Sequence, residues 1–538
     1  MLMVLADRRY VLSTSNAPTN IAMIRVPTLA ITFGLLWVAA PLAWGQRQSS
    51  LASAFLLERY GLVRAWHAQV ELDSAQARVV HVTQHVSQTQ AMTVIDVVLV
   101  DNEKQKLATY TDRQLDAFGR PLGVEGAKKA AEERIAELQV IGVAAKAITT
   151  VVPDITLYIT TNNGFMHAID GETGATRWVV PVGRSDHPTF SPAANDHFVA
   201  AINGIYLYVF DAKDGRLAWS RRLTHAAGAG PAVTQEFVHV PMVPGLIESY
   251  HLLDPSGRPR VYQSFGRATL QPTVSPNSLI WATDRGFLYV GNGDAPGVRF
   301  RLETLDEITA RPAWLAPNQV MAVSRDGDVY VMNEFTGALM WRFSTGDPID
   351  HSPVPIDDDV YIITTNYTMF RLSAQTGGAG AGAIWSTQGL SKIVSASATR
   401  LYCLDPTGRL VILDRATGGR VATLPTNFRE VDVLNNQTDR LFFVSYSGLV
   451  QCFREFHQEY PLVHAGPGTE AQQPKQVQQQ PLAAPAKPAP DAPAPANPFG
   501  EAADPFADPA GGDAAPADEP ETEAPADDPF GAADPFGD

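Results

Sequence analysis

One pattern recurs along the chain at a spacing of roughly 40 residues, and repeats of that length fold by stacking on their neighbours. Its intact form is AIDGETGATRW at 168–178, with Asp170 eight positions before Trp178. VFDAKDGRLAW repeats the layout with Asp211 and Trp219, and VMNEFTGALMW with Asn333 and Trp341. RLSAQTGGAGAGAIW does so with Ser373 and Trp385, across a Gly/Ala insertion. Degenerate copies place Asp254 before Tyr262, Asn292 before Phe300 and Asp414 before Ala422. Ahead of each copy runs a β-rich segment broken by a Gly turn, such as LYITTNNGFMHAID and MAVSRDGDVYVMN. Strand, Gly turn, strand, Asp-x-x-Thr-Gly turn and strand, at this period, are the content of one four-stranded propeller blade.

The residue types have physical work in that unit. Gly supplies positive φ at the second turn, and the Asp carboxylate caps the turn's amides. The Trp on the outer strand fills the wedge between neighbouring blades with a large apolar ring. Trp66, Trp178, Trp219, Trp341 and Trp385, with Asp170, Asp211 and Asp414, are therefore expected to be structural anchors. The Ala-x-Asp-x-x-Thr-Gly-x-x-x-Trp signature resembles that of the PQQ-type β-propeller repeat proteins, and within them the BamB-like outer-membrane-assembly propellers. The resemblance spans about residues 62–76 and 148–461. It implies the fold more strongly than a function, because scaffolds and quinoprotein dehydrogenases share the repeat.

Repeats begin near residues 154, 197, 237, 278, 320, 359 and 400, and an incomplete one near 440. That last unit, RLFFVSYSGLVQCFRE, lacks a Trp strand, whereas LVRAWHAQV at 62–70 reads as an outer strand with no blade of its own. The N-terminal strand is expected to complete the last blade, giving an all-β, eight-bladed ring without a free edge.

At 538 residues and 45% apolar content the chain can bury a large core. Periodicity favours one large β domain, spanning 148–461, over several small ones. The net charge of −16 is uneven: residues 491–538 hold thirteen Asp/Glu and no Lys/Arg, leaving the propeller near neutral. No basic stripe or nucleic-acid motif is present.

Within residues 1–45, the run from Met23 through Ala43-Trp44-Gly45 has one Arg, an apolar stretch and small residues before Gln46, as an export signal does. The apolar run is short for a bilayer span, so membrane contact is expected only peripherally or through an uncleaved signal. No cysteine precedes Cys403, so there is no lipobox, a departure from the lipid-anchored BamB proteins. The expected location is the periplasm or cell envelope.

After a short segment at 46–76, residues 77–147 break the blade rhythm with a strand (TVIDVVLVD) and a helix (EGAKKAAEERIAEL). This lobe is expected between the closing strand and the first full blade, with Lys128–Glu132 and Lys129–Glu133 paired along the helix. It is either an elaborated loop or a partner-docking element. Residues 462–538 are too rich in Pro and Ala to fold. Their x-Pro-Phe units place Phe499, Phe506, Phe530 and Phe536 in an acidic background. These are either repeated anchors for a groove on another protein or parts of a tail that only solubilises.

The resemblance also raises a catalytic alternative, a PQQ- or metal-dependent oxidoreductase. Such a site implies oxygen ligands for Ca²⁺, an Asp base, Arg or Lys on the quinone, and commonly a vicinal cysteine pair. The two cysteines here, Cys403 and Cys452, are expected on neighbouring blades, half-buried and unpaired. Asp186-His187 and Asp350-His351 recur at equivalent repeat positions, which favours turn capping over metal binding or proton transfer. GNGDAPG at 291–297 is a blade turn without phosphate-loop context. The expectation is a non-catalytic exported scaffold, without cofactor, for envelope or outer-membrane proteins. A cell-surface structural or binding module is a further alternative.

Overall fold

The computed structural model describes residues 51–73, 76–102, 105–378, 382–426, 431–465 and 476–477. The signal-like segment and the four x-Pro-Phe units lie outside the described residues. Eight antiparallel sheets are present among those described, one per blade. Blades 2 to 7 occupy residues 193–222, 232–263, 273–303, 313–344, 354–388 and 392–424, each with four strands in sequence order. A blade opens with a short inner strand, followed by two strands of mostly buried Val, Ile, Leu and Tyr. The fourth strand alternates in burial because one face turns to solvent.

The last blade is closed by the first strand. Strand β1 (Leu62–Gln69) pairs antiparallel with Leu449–Glu455, with Trp66 opposite Cys452. The strand 441–444 and a bridge from Val431 to Val444 complete the sheet. The short helix α1 (Ala54–Glu58) places Leu57 in the apolar cluster shared by blades 7 and 8, beside Ala422. The N-terminal segment thus packs where the repeat lacks its large anchor.

The lobe interrupts blade 1 rather than preceding it. Strand β2 (Val79–Leu99) runs through one six-stranded sheet shared by blade 1 and the lobe: residues 79–86 form the inner strand of blade 1, and 91–99 run on into the lobe. Strand β3 (Lys106–Thr111) and helix α2 (Gly123–Val140) follow, and β4 (Ala145–Thr161) returns along β2 into the blade. Helix α2 buries Ala127, Ala131 and Leu138 against Ile95 and Val97; its small residues let it lie close to the sheet. Lys129 pairs with Glu133 at 3.9 Å as its spacing predicts, but Lys128 turns back to Glu125 at 3.3 Å.

Polar contacts fix the lobe to the ring. Arg113 reaches Asp154 at 2.8 Å and Asp170 at 3.2 Å, and Arg177 of blade 1 grips Asp170 at 2.7 Å and Asp154 from its own side. Burial works to raise the Asp154 carboxyl, but the two guanidinium groups outweigh it and hold it below the usual range. Tyr460, beyond the last blade strand, donates to Asp96, while Lys106 bridges Asp96 at 2.6 Å and Glu459 at 2.7 Å.

Candidate interaction site

The signature residues come together at the blade junctions. Trp178 Nε1–H donates to the Ala212 carbonyl of the next blade at 3.0 Å, Trp219 to Leu252 at 2.7 Å, Trp341 to Ala374 at 2.9 Å and Trp385 to Arg415 at 3.1 Å. Trp66 makes the same bond to Gly171 across the ring seam, at 3.0 Å. The indoles of Trp66, Trp178, Trp341 and Trp385 also lie on the turn glycines Gly174, Gly215, Gly377 and Gly418. Gly174 has φ +74°, and a Cβ there would stand 2.5 Å from Trp66 Cε3, so the position excludes side chains twice over. Trp66, Trp178, Trp341 and Trp385 are buried; Trp219 is only half-buried.

The acidic anchors are caps. Asp170 Oδ1 accepts from the Glu172 and Thr173 amides, Asp211 from Lys213, and Asp414 from the Thr417 amide and hydroxyl. In blade 3 the cap is not Asp254. His251 occupies that position, its Nδ1 accepting from the Leu253 and Asp254 amides, and the longer turn carries Asp254 past the site. Tyr262 replaces the missing Trp by donating through its hydroxyl to the Ala295 carbonyl at 3.1 Å.

Asp186 pairs with Arg184 at 2.9 Å, and Asp350 with His351 at 2.6 Å, both at exposed loops. Cys403 and Cys452 are free, and both are fully buried rather than half-buried, on blades 7 and 8. Burial pushes both thiols well above the usual range. No group of three or more His, Cys, Asp or Glu able to hold a metal ion occurs among the described residues. The vicinal cysteine pair common in quinone–calcium sites is not formed by these residues: Cys403 and Cys452 are neither adjacent in the chain nor accessible.

A groove of about 480 Å³ opens where the lobe meets blades 2 and 3. Blade 2 contributes Asp196, His197 and Phe198 from its first turn, with Asp211 and Lys213 from the capped one; blade 3 contributes Gln235, Glu236, His251 and Leu253. The lobe supplies Gln90 from a bulge in β2: between Val86 and Ala91 the register on β4 shifts, and residues 87–90 leave the ladder. Such bulges re-aim a strand. Here the displaced residues fold onto Asp196, which accepts from the Thr89 amide at 3.0 Å, the Thr89 hydroxyl at 2.5 Å and His85 Nε2 at 2.9 Å. Burial alone would raise the Asp196 carboxyl, but hydrogen bonds from Thr89, His85 and Ser87 bring it down to about 2. The groove thus has a fixed wall, an apolar lining from Phe198 and Leu253, and a rim of both charge signs. Nothing in the repeat signature pointed to it; the pattern TQHVSQTQ, whose polar residues interrupt a strand, was the available signal.

Comparison with known proteins follows the same architecture. The profile of a family described as outer membrane protein assembly factor BamB matches residues 115–242 and 273–478, more than half of the chain. The chain belongs to the BamB family. Among solved structures, BamB from Moraxella catarrhalis is similar at 17% identity and a TM-score of 0.46, over 56% of this chain and 92% of that one. A computationally designed protein, Ika8, is similar at 17% identity and a TM-score of 0.47, over 56% and 93%. No curated protein matches the chain. Relative to the BamB profile, the match begins inside the lobe, so β1, β2 and β3 lie ahead of it. Among the described residues no helix is long and apolar enough to cross a membrane.

Proposed function

We propose that this BamB-family propeller is a non-catalytic, exported scaffold that takes part in assembling outer-membrane or envelope proteins, with the lobe-walled groove as a docking surface. The observation that carries the reading is the use of the signature itself: the indole donors and capping carboxylates engage backbone, and the turn glycines lie against the indoles, leaving none of them directed at a cofactor. The family description supports the envelope role, and the signal-like N-terminus supports export.

Affinity capture from envelope extract tests it, comparing wild type, a Lys213→Glu/Glu236→Lys groove variant and a chain lacking residues 479–538. Both substituted residues are on the rim, so the fold is retained. The proposal expects defined envelope proteins on the wild type and their loss from the groove variant. Equal capture by wild type and groove variant would remove the groove from the account, and no capture at all would remove the scaffold.

A further inference from the structure

We infer that His464 is a proton-operated latch: as an imidazolium it fastens residues 459–465, which brace the lobe, across blades 6, 7 and 8, and on losing a proton it releases them. Both ring nitrogens face acceptors. Nδ1 lies 3.2 and 3.1 Å from the two oxygens of Asp357, in the turn after the inner strand of blade 6. Nε2 lies 3.1 Å from the Ala396 carbonyl of blade 7. A carboxylate and a carbonyl offer no proton, and a neutral imidazole carries one N–H, so only the doubly protonated ring satisfies both sides. The His464 side chain is 2% exposed, so solvent does not replace a lost bond.

The surrounding groups favour the charged ring in the closed latch. Burial alone would raise the Asp357 carboxyl, but bonds from His464 and Arg415 bring it down to about 2, so it meets the ring as an anion. Its Oδ1 also accepts the Ala465 amide at 3.0 Å. Arg415 of blade 7 reaches Asp357 at 2.9 Å and Asp359 at 3.2 Å, and donates to the Tyr361 hydroxyl at 3.1 Å. From blade 8, Asp439 faces the segment, with Arg440 3.5 Å away, and accepts the Leu462 amide at 2.9 Å. The His464 amide donates to the Gln437 carbonyl at 2.9 Å, and Val463 bridges Thr438, so the ring closes a segment laid along blade 8. Just ahead in the chain, Glu459 and Tyr460 hold Lys106 and Asp96 of the lobe. In the neutral ring one nitrogen turns a lone pair on a buried acceptor oxygen, and that contact becomes repulsive. The closed segment therefore binds the proton more tightly than the open one, and raising the pH opens the latch.

Hydrogen exchange on the full chain, from about pH 5.5 to about 8.5, spans the change in histidine charge. Exchange times are scaled to the intrinsic amide rate at each pH. Protection of 459–465 in the wild type should fall about tenfold as the pH rises, while the core strands 359–363 and 400–404 stay protected. His464→Gln carries no charge and should leave the segment open throughout. Asp439→Asn should keep the wild-type response, which separates the latch from the titration of that carboxyl. Nitrogen NMR of the histidine rings at the acid end, assigned by the signals that His464→Gln lacks, should show a proton on both His464 nitrogens. Wild-type protection that does not change with pH overturns the proposal, whether or not the variants fold. A single protonated nitrogen on His464, a response that survives in His464→Gln, or one that vanishes in Asp439→Asn overturns it equally.

Discussion

Glu172 and Arg440 are 268 residues apart in the chain and form a bidentate pair across the ring seam, with Arg440 Nε and Nη2 donating to the carboxylate at 3.0 and 2.9 Å. Glu172 belongs to the capped turn of blade 1 and Arg440 to blade 8, and the Arg440 side chain is 1% exposed. The same guanidinium donates to the Gln458 and Glu459 carbonyls, so it ties together the two blades and the segment that braces the lobe.

Breaking this pair leaves a charge buried. Glu172→Ala should destabilise by about 3–5 kcal/mol in urea unfolding, whereas Glu172→Leu combined with Arg440→Met should recover most of the loss. A single variant that unfolds like the wild type would mean that the seam is held elsewhere.

The indole anchors should differ in weight. Trp66→Ala removes a buried ring and the seam bond to Gly171, and is expected to cost about 3–5 kcal/mol. Trp219→Ala should cost less, because that ring is half-exposed. Thermal melts of the two variants side by side check the order.

How much of this was readable follows from where the information sits. Period, turn glycines and Trp positions are local, so the eight blades and the closing strand could be read from them. The first half of β2 could not, because its His81, Thr83 and His85 contact Thr189, Ser191 and Asp196 of blade 2 and break the apolar pattern of a strand. The misplaced cap at Asp254 has a similar origin: the count of eight residues back from Tyr262 ignores a lengthened turn, and His251 does the capping. Glu172–Arg440 and Arg113–Asp154 depend on tertiary proximity, which no spacing encodes.

Stability should respond to acid through opposing groups. His239 is fully buried, and burial first, then the Arg260 charge, lowers it to about 3. The unfolded chain binds that proton more readily, so stability falls as pH drops from 6.5 towards 3. Asp439 is pushed by burial up to about 6 despite Arg440, so its contribution is largest below 3.8 and is lost as pH rises through 6. His239→Gln should flatten the acid-side loss, and Asp439→Asn should remove the opposing slope. Chemical denaturation from pH 3 to 7 would show both, and identical profiles for the variants and wild type would refute the assignments.

The thiols should be silent in the folded protein. Cys403 and Cys452 are each 0% exposed and held protonated by burial. A thiol reagent should label neither in native buffer and both in guanidinium. Rapid native labelling would place them outside the blade cores.

The central claim is that the repeat signature builds blades and blade junctions and holds no quinone. Calorimetric titration of the purified protein with PQQ and Ca²⁺, followed by a dye-linked alcohol or sugar oxidation assay, tests it most directly. The account predicts no saturable heat and no substrate-dependent dye reduction. Tight binding accompanied by dye reduction would contradict it and make the protein an oxidoreductase.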